Sequence, residues 1–203
     1  PGQAFGVSEF ATVGTSLGHV LALDVDSVGS LQNWTITGGN TDGIFAINSV
    51  TGELTVVNTT NLNFETTPVY SLTLTVSDGA NISADQTISV LLIDENDVPV
   101  FSPAAAMSIP ENSPAGTIVG YISAVDPDVS DVLTYSIVSG VPNQPFAVDS
   151  ANGTIRVVDS SLLDFETTTV WNVTVRVTDA GGLTDTQVVT IAAIDQNEAP
   201  TDL

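Results

Sequence analysis

The chain is built from one unit used twice, and that repeat constrains it more than any other feature. Phe45 begins FAINSVTGELTVV and Phe146 begins FAVDSANGTIRVV, an offset of 101 with six of thirteen positions identical. The same offset relates Asn63-Phe64-Glu65 to Asp164-Phe165-Glu166, and Asp94-Glu95-Asn96-Asp97 to Asp195-Gln196-Asn197-Glu198. Asp24-Val25-Asp26 and Asp126-Pro127-Asp128 are related by 102, one loop residue more. A period of this length describes a whole domain, not a short solenoid repeat. It predicts domains over residues 1–97 and 98–203, with a linker at 94–99 and a second at 195–200.

Each unit reads as all-β. Tyr70, Leu72, Leu74 and Val76 alternate with polar residues, and so do Trp171, Val173, Val175 and Val177. A period of two puts one face in a core and the other in water. Ile88, Val90 and Leu92 repeat the pattern, matched by Val189, Ile191 and Ala193. Shorter β-rich runs fall at His19–Val25, Leu31–Thr37, Ile44–Asn48 and Glu53–Val57, and Gly-rich turns punctuate them. No helical period of useful length is present. About seven strands per unit at this turn spacing predict a β-sandwich. Trp171 is expected in the core and His19 at a surface or strand end, while the pattern around Trp34 is too irregular to assign a face.

Charge then narrows the function. Of 203 residues, 24 are Asp or Glu and 2 are Lys or Arg, a net charge of -22. A nucleic-acid binder needs a basic footprint to release counterions, so DNA and RNA are excluded as direct partners. No apolar run reaches the ~18 residues of a membrane-crossing helix, so direct membrane insertion is not expected. With 42% hydrophobic residues the chain can still bury a core. There is no cysteine, hence no disulfide staple and no thiol metal site. Surplus carboxylates suit a hard divalent cation, which takes six to eight oxygens when it is Ca2+. The plainer alternative is that the acidity only keeps the surface solvated. One His and no Cys offer no nucleophile–base pair, so catalysis is not expected.

The motifs resemble the cadherin repeat over almost the whole chain. Unit two carries Pro110-Glu111-Asn112, Asp126-Pro127-Asp128, Leu163-Asp164-Phe165-Glu166, Asp179-Ala180-Gly181-Gly182 and Asp195-Gln196-Asn197-Glu198-Ala199-Pro200. Unit one has a looser set: Ser8-Glu9-Phe10, Asp24-Val25-Asp26, Leu62-Asn63-Phe64-Glu65, Asp78-Gly79 and Asp94-Glu95-Asn96-Asp97-Val98-Pro99. The resemblance implies two tandem seven-stranded Greek-key β-sandwiches, Ig-like in architecture. It also implies up to three Ca2+ ions at the junction between them, held by Glu9, Asn63 and Glu65, then Glu95, Asn96, Asp97 and Val98, then Asp126, Asp128 and Asp179. Asp94 would support and Asp131 would lend its carbonyl. Half-sites are implied at Asp24, Asp26 and Asp78, and at Glu111, Asp164, Glu166, Gln196, Asn197 and Glu198. Asn63 stands where the family has an acid, which weakens the outermost ion. Glu198 replaces the linker Asp, and Val98 and Ala199 replace a residue that gives only its carbonyl.

The implied function is a calcium-binding extracellular adhesion or spacer module in which junction Ca2+ rigidifies tandem repeats. Its partners would be neighbouring repeats of the same chain, with contacts that are homophilic or to a cell-surface protein or glycan. A Ca2+-dependent polysaccharide-binding module is the alternative, although no exposed aromatic row is evident. No Trp near the amino end supports strand exchange of the kind used by animal cadherins' outermost domain. The poverty in Lys and Cys and the richness in Thr, Val and Asp look like repeats of large bacterial surface or secreted proteins. In such a source the Asn-x-Ser/Thr sites at Asn33, Asn58, Asn81, Asn152 and Asn172 are coincidences. The half-sites and the missing leader imply a fragment of a longer array.

Overall fold

The computed structural model describes residues 2–25, 31–139 and 144–199. It divides into two compact units, Pro1–Glu95 and Asn96–Leu203. In unit 1 the strands are β1 (Ala4–Ser8), β2 (Ser16–His19), β3 (Gln32–Gly38), β4 (Phe45–Ile47), β5 (Glu53–Val56), β6 (Val69–Ser77) and β7 (Gln86–Ile93). They form one sheet in the order β1-β7-β6-β3 and a second in the order β2-β5-β4. The non-consecutive neighbours are those of a Greek-key sandwich, and the alternation in β6 and β7 explains the layering. Tyr70, Leu72, Leu74 and Val76 are buried with Ile88, Val90 and Leu92, and they meet Ile44, Phe45, Leu54 and Val56 from the other sheet.

Unit 2 has the same plan with two strands interrupted. Its first strand is β8 (Val100–Phe101) and then β9 (Met107–Pro110), and its second is β10 (Ile118–Tyr121) and then β11 (Ala124–Val125). β12 (Thr134–Ser139), β13 (Phe146–Val148), β14 (Thr154–Val157), β15 (Val170–Thr178) and β16 (Thr184–Ile194) follow. The sheets are β12-β15-β16-β9 and β10-β14-β13, with β8 and β11 as a separate pair. Core aromatics repeat between the units: Phe45 meets Tyr70 edge-to-face at 5.2 Å, and Phe146 meets Trp171 edge-to-face at 5.4 Å.

Trp171 and Trp34 are both buried, and His19 is exposed at the end of β2. The run expected as a strand over His19–Val25 is a correction. The strand lies at Ser16–His19, and residues 20–25 fall outside it. Gly18, at φ +112°, breaks the register with β5 and shifts the pairing toward the chain start.

In both units the first core strand runs parallel to the last. β1 pairs with β7 and places Ser8 opposite Ile93. β9 pairs with β16 and places Pro110 opposite Ile194. This pairing brings Glu9 and Glu111 beside the acidic segments that leave β7 and β16.

Candidate functional site

Glu9 and Glu111 occupy the same place in the two units and are both 3% exposed. Burying a carboxylate is costly unless hydrogen bonds compensate. Here both oxygens are engaged by backbone. Glu9 accepts from Phe64 N at 2.8 Å and from Glu95 N at 2.9 Å. Glu111 accepts from Phe165 N at 2.8 Å and from Gln196 N at 2.7 Å. Each glutamate ties the turn after the fifth strand to the segment that leaves the last one. Glu111→Ala leaves two part-buried backbone donors without their acceptor, and unit 2 should lose about 2 kcal/mol. Glu111→Gln should lose about half as much, since its amide can accept only one of the two bonds. Urea unfolding in EDTA measures both; unchanged stability there would show that the carboxylate serves a metal alone.

Around these clamps lie two acidic clusters. In unit 1, carboxylate oxygens of Glu9, Glu65 and Asp94 lie within 4.8 Å of one another. Asn63 sits beside Glu65 of that trio. Its Oδ1 accepts from Thr66 N at 2.8 Å, and its Nδ2 donates to Glu65 Oε2 at 3.1 Å. The amide therefore closes the turn and positions Glu65. In unit 2, Glu111, Asp164 and Glu166 are grouped in the same way. Asp164 accepts from the Thr167 hydroxyl at 2.7 Å, which with backbone hydrogen bonds holds its carboxyl below the usual range. For Glu166 a hydrogen bond from its own backbone pulls downward. Burial and the charges of Glu111, Glu198 and Asp164 outweigh it and raise the group. Asn112, in the left-handed region at φ 58°, donates from Nδ2 to Glu198 Oε1 at 2.7 Å. Gln196 contributes its backbone N–H, as above, and Asn197 is exposed.

A third cluster sits where unit 2 begins. Carboxylate oxygens of Asp126, Asp131 and Asp179 lie within 4.8 Å of one another. β11 ends at Val125 and β15 at Thr178, so each strand delivers an aspartate directly from its end. β8 pairs with β11 and holds the preceding segment alongside. Asn96 Nδ2 donates to Asp179 Oδ2 at 2.8 Å, and Asp97 N donates to Asp128 Oδ2 at 2.8 Å. Asp179 Oδ1 accepts from Leu183 N at 2.7 Å, and Asp131 Oδ2 accepts from Ala180 N at 3.2 Å. Gly181 leaves room for this arrangement, since a Cβ there would overlap the Asn96 amide. Asp126 Oδ1 accepts from Asp128 N at 3.1 Å. Its Oδ2 is buried and has no hydrogen-bond partner. Burial raises the Asp126 carboxyl above its ordinary range; the Asp128 N–H opposes this, and the charges of Asp128, Asp131 and Asp179 add to it.

The three clusters thus include Glu9, Glu65, Asp126 and Asp179 from the expected junction set, and Glu111, Asp164 and Glu166 from the expected half-site. Asp128, Asn96 and Asp97 lie beside the Asp126 group through hydrogen bonds. Glu95 offers its N–H to Glu9, and Val98 is half exposed. Asp94, expected as a supporting acid, belongs to the Glu9 group, and Asp131, expected to lend its carbonyl, joins by its side chain. Their sequence signal was a position directly after a strand or an Asp-rich turn. Among the described residues, Asp24 and Asp78 form no such cluster. Asp78 is occupied by its own turn, accepting from Asn81 N at 2.6 Å and Ala80 N at 2.7 Å, and these bonds lower its carboxyl. Asp26 lies outside the described residues.

Comparison with known proteins agrees with the repeat. A family model described as "Cadherin domain" matches residues 3–93 and again 105–196. Human protocadherin Fat 1 is 34% identical over 209 residues, covering 96% of this chain and 4% of that protein. Human protocadherin-23 is 30% identical over 198 residues, covering 95% of this chain and 6% of that protein. The chain therefore spans about a twentieth of the curated relatives it matches. Among solved structures, human protocadherin-24 EC1-2 (form II) superposes with a TM-score of 0.75 at 25% identity, covering 95% of both chains. Mouse cadherin-23 EC22-24 gives 0.73 at 25% identity, covering 96% of this chain and 64% of that one. These relatives come from human and mouse, and the bacterial source expected from composition finds no support among them.

Proposed function

The chain belongs to the cadherin family, and from that premise we propose that it is a calcium-binding spacer and adhesion module of an extracellular or cell-surface protein. The observation that carries the reading is Asp126. One of its oxygens is buried without a hydrogen-bond partner, in a group with Asp131 and Asp179. A buried acceptor left unmatched is costly, and a cation matches it. Every donor in the three clusters is a hard oxygen, which suits Ca2+. Glu9, Glu65 and Asp94 offer the complementary acids at the far end of unit 1.

In this reading the residues at the end of unit 1 and those at the start of unit 2 hold up to three ions jointly. The set is Glu9, Asn63, Glu65, Glu95, Asn96, Asp97, Val98, Asp126, Asp128 and Asp179, with Asp94 and Asp131 added from the clusters. Domain bounds of 1–97 and 98–203 place the acidic linker between the two folded bodies. Neutralising the crowded charge then holds two units in a defined orientation. Two like charges ~4 Å apart repel by about 4 kcal/mol at an effective dielectric near 20. The Glu111, Asp164 and Glu166 group, with Gln196, Asn197 and Glu198, offers the same upper half to a following repeat. Adhesive contacts, homophilic or with a cell-surface protein or glycan, belong to the larger protein that carries such repeats.

The relatives reported above are named as cadherins and protocadherins, none by an enzyme's name, and among the described residues no helix is long and apolar enough to cross a membrane. Calorimetry tests the metal directly. Ca2+ should bind with dissociation constants of roughly 10⁻⁴–10⁻³ M, in the range of extracellular modules. Asp126→Asn and Asp179→Asn should each weaken binding by about tenfold or more, the loss of one charge-assisted ligand. No heat at millimolar Ca2+, or equal affinity in wild type and both variants, would overturn the proposal.

A further inference from the structure

Asparagine is followed by glycine at one place only in the sequence, Asn152-Gly153. This is the most reactive pair that asparagine forms, because glycine has no side chain to hinder its backbone nitrogen. That nitrogen can lose its proton and attack the neighbouring amide carbon. A bond forms from Gly153 N to Asn152 Cγ, the Cγ–Nδ2 bond breaks, and Nδ2 leaves as ammonia with the proton. Water then opens the five-membered imide. Opening at the side-chain carbonyl gives aspartate. Opening at the main-chain carbonyl gives isoaspartate, whose main chain is one methylene longer.

The turn between β13 and β14 holds both reacting groups. Asn152 is exposed, but Gly153 is buried. Gly153 N donates to Asp149 O at 3.0 Å, so the proton that must leave is engaged. Asn152 Oδ1 accepts from Thr154 N at 3.0 Å, which ties the side chain down. Gly153 sits at φ +69°, and its carbonyl accepts from Ile122 N at 3.0 Å. A Cβ on Gly153 would overlap Ile122 O, so the main chain has no slack here. Asp149 Oδ1 closes the turn, accepting from Ala151 N at 2.9 Å. Unit 1 builds the same turn: Gly52 N donates to Asn48 O at 2.9 Å, and Val20 N donates to Gly52 O at 2.9 Å. Thr51 stands there in place of Asn152, so unit 1 has the turn without the reactive amide.

We propose that Asn152 is a self-modifying site gated by this turn: it deamidates only when the turn opens, and the isoaspartyl product cannot rebuild it. The reaction needs the same Gly153 N–H proton that hydrogen exchange reads. Hydroxide removes it in both cases, and only from the open state. Closure of the turn therefore slows the two reactions by one common factor. Deamidation has no return path, so the fraction modified at position 152 records how often unit 2 has opened. The proposal does not rest on calcium.

The test incubates the full chain at neutral pH and body temperature, folded and in urea. Peptide mapping separates asparagine, aspartate and isoaspartate at position 152. Deamidation should be slower in the folded chain by about a hundredfold or more, and that factor should match the exchange protection of the Gly153 amide within about threefold. Asp149→Ala, which removes a bond across the turn, should speed both reactions together. Chain enriched in isoaspartate should lower the thermal midpoint of unit 2 by about 5 °C. Asn152→Asp, which adds the same charge without the methylene, should melt close to wild type. Equal deamidation in folded and unfolded chain would overturn the proposal. So would Asp149→Ala speeding exchange but not deamidation, or isoaspartyl chain that melts like wild type.

Discussion

Calcium at about a hundred times its dissociation constant should raise the thermal midpoint of this chain by about 10–20 °C. A ligand that binds only the folded state contributes about 2.7 kcal/mol at that concentration, and each kcal/mol moves a domain of this size by about 4–8 °C. The effect is expected to be large because the metal-free fold holds unfavourable charge. Asp126 keeps a buried, unmatched oxygen among three other aspartates. The units should nonetheless stay folded in EDTA, because each has its own alternating core. Calorimetric melting with and without EDTA reads both statements. A midpoint unmoved by calcium would end the metal reading. Loss of β signal in EDTA at room temperature would show that the core alone does not suffice.

The second large effect is expected in solution scattering. If ions are shared between the end of unit 1 and the start of unit 2, calcium narrows the range of orientations that the two units sample. Small contacts between domains otherwise leave relative motion as the default. The maximum dimension should be larger, and the signature of flexibility smaller, in Ca2+ than in EDTA. Asp126→Asn with Asp128→Asn should abolish the difference. Calcium binding without any change in the profile would detach the metal from stiffening and favour a role in presenting carbohydrate hydroxyls.

Much of this was readable from residues alone because strict alternation leaves little freedom. A one-residue slip in β6, β7, β15 or β16 would turn every buried side chain toward water. The face of Trp34 was not readable, and the structure gives the reason. Asn33 adopts φ 56°, and the register of β3 with β6 shifts between Gln32 and Thr35. The bulge breaks the period just where Trp34 turns inward. Residues 20–25 carry apolar side chains like a strand, yet composition cannot tell whether a partner edge is present.

In the site, Glu9 and Glu111 were legible through the resemblance of Ser8-Glu9-Phe10 and Pro110-Glu111-Asn112 to the family's motif, not through periodicity. Asn63, expected as a weakened ligand, also closes a turn with its amide, accepting from Thr66 N and donating to Glu65. Asp131 joins its cluster through the direction of its side chain, which spacing along the chain does not encode.

The parallel pairing of first and last core strands has a mechanical consequence. A pull on the two ends of a unit drags β1 against β7, or β9 against β16, along their length and in opposite directions. The registers Ala4–Ser8 with Ser89–Ile93, and Met107–Pro110 with Ile191–Ile194, then carry the load side by side. Their hydrogen bonds must fail together, whereas a hairpin pulled from its open end releases them one at a time. Glu9 and Glu111 brace the same ends of the same strands. Rupture under tension is governed by the unfolding rate rather than by equilibrium stability. A tether made of such units resists force through its strand order as much as through its depth of core.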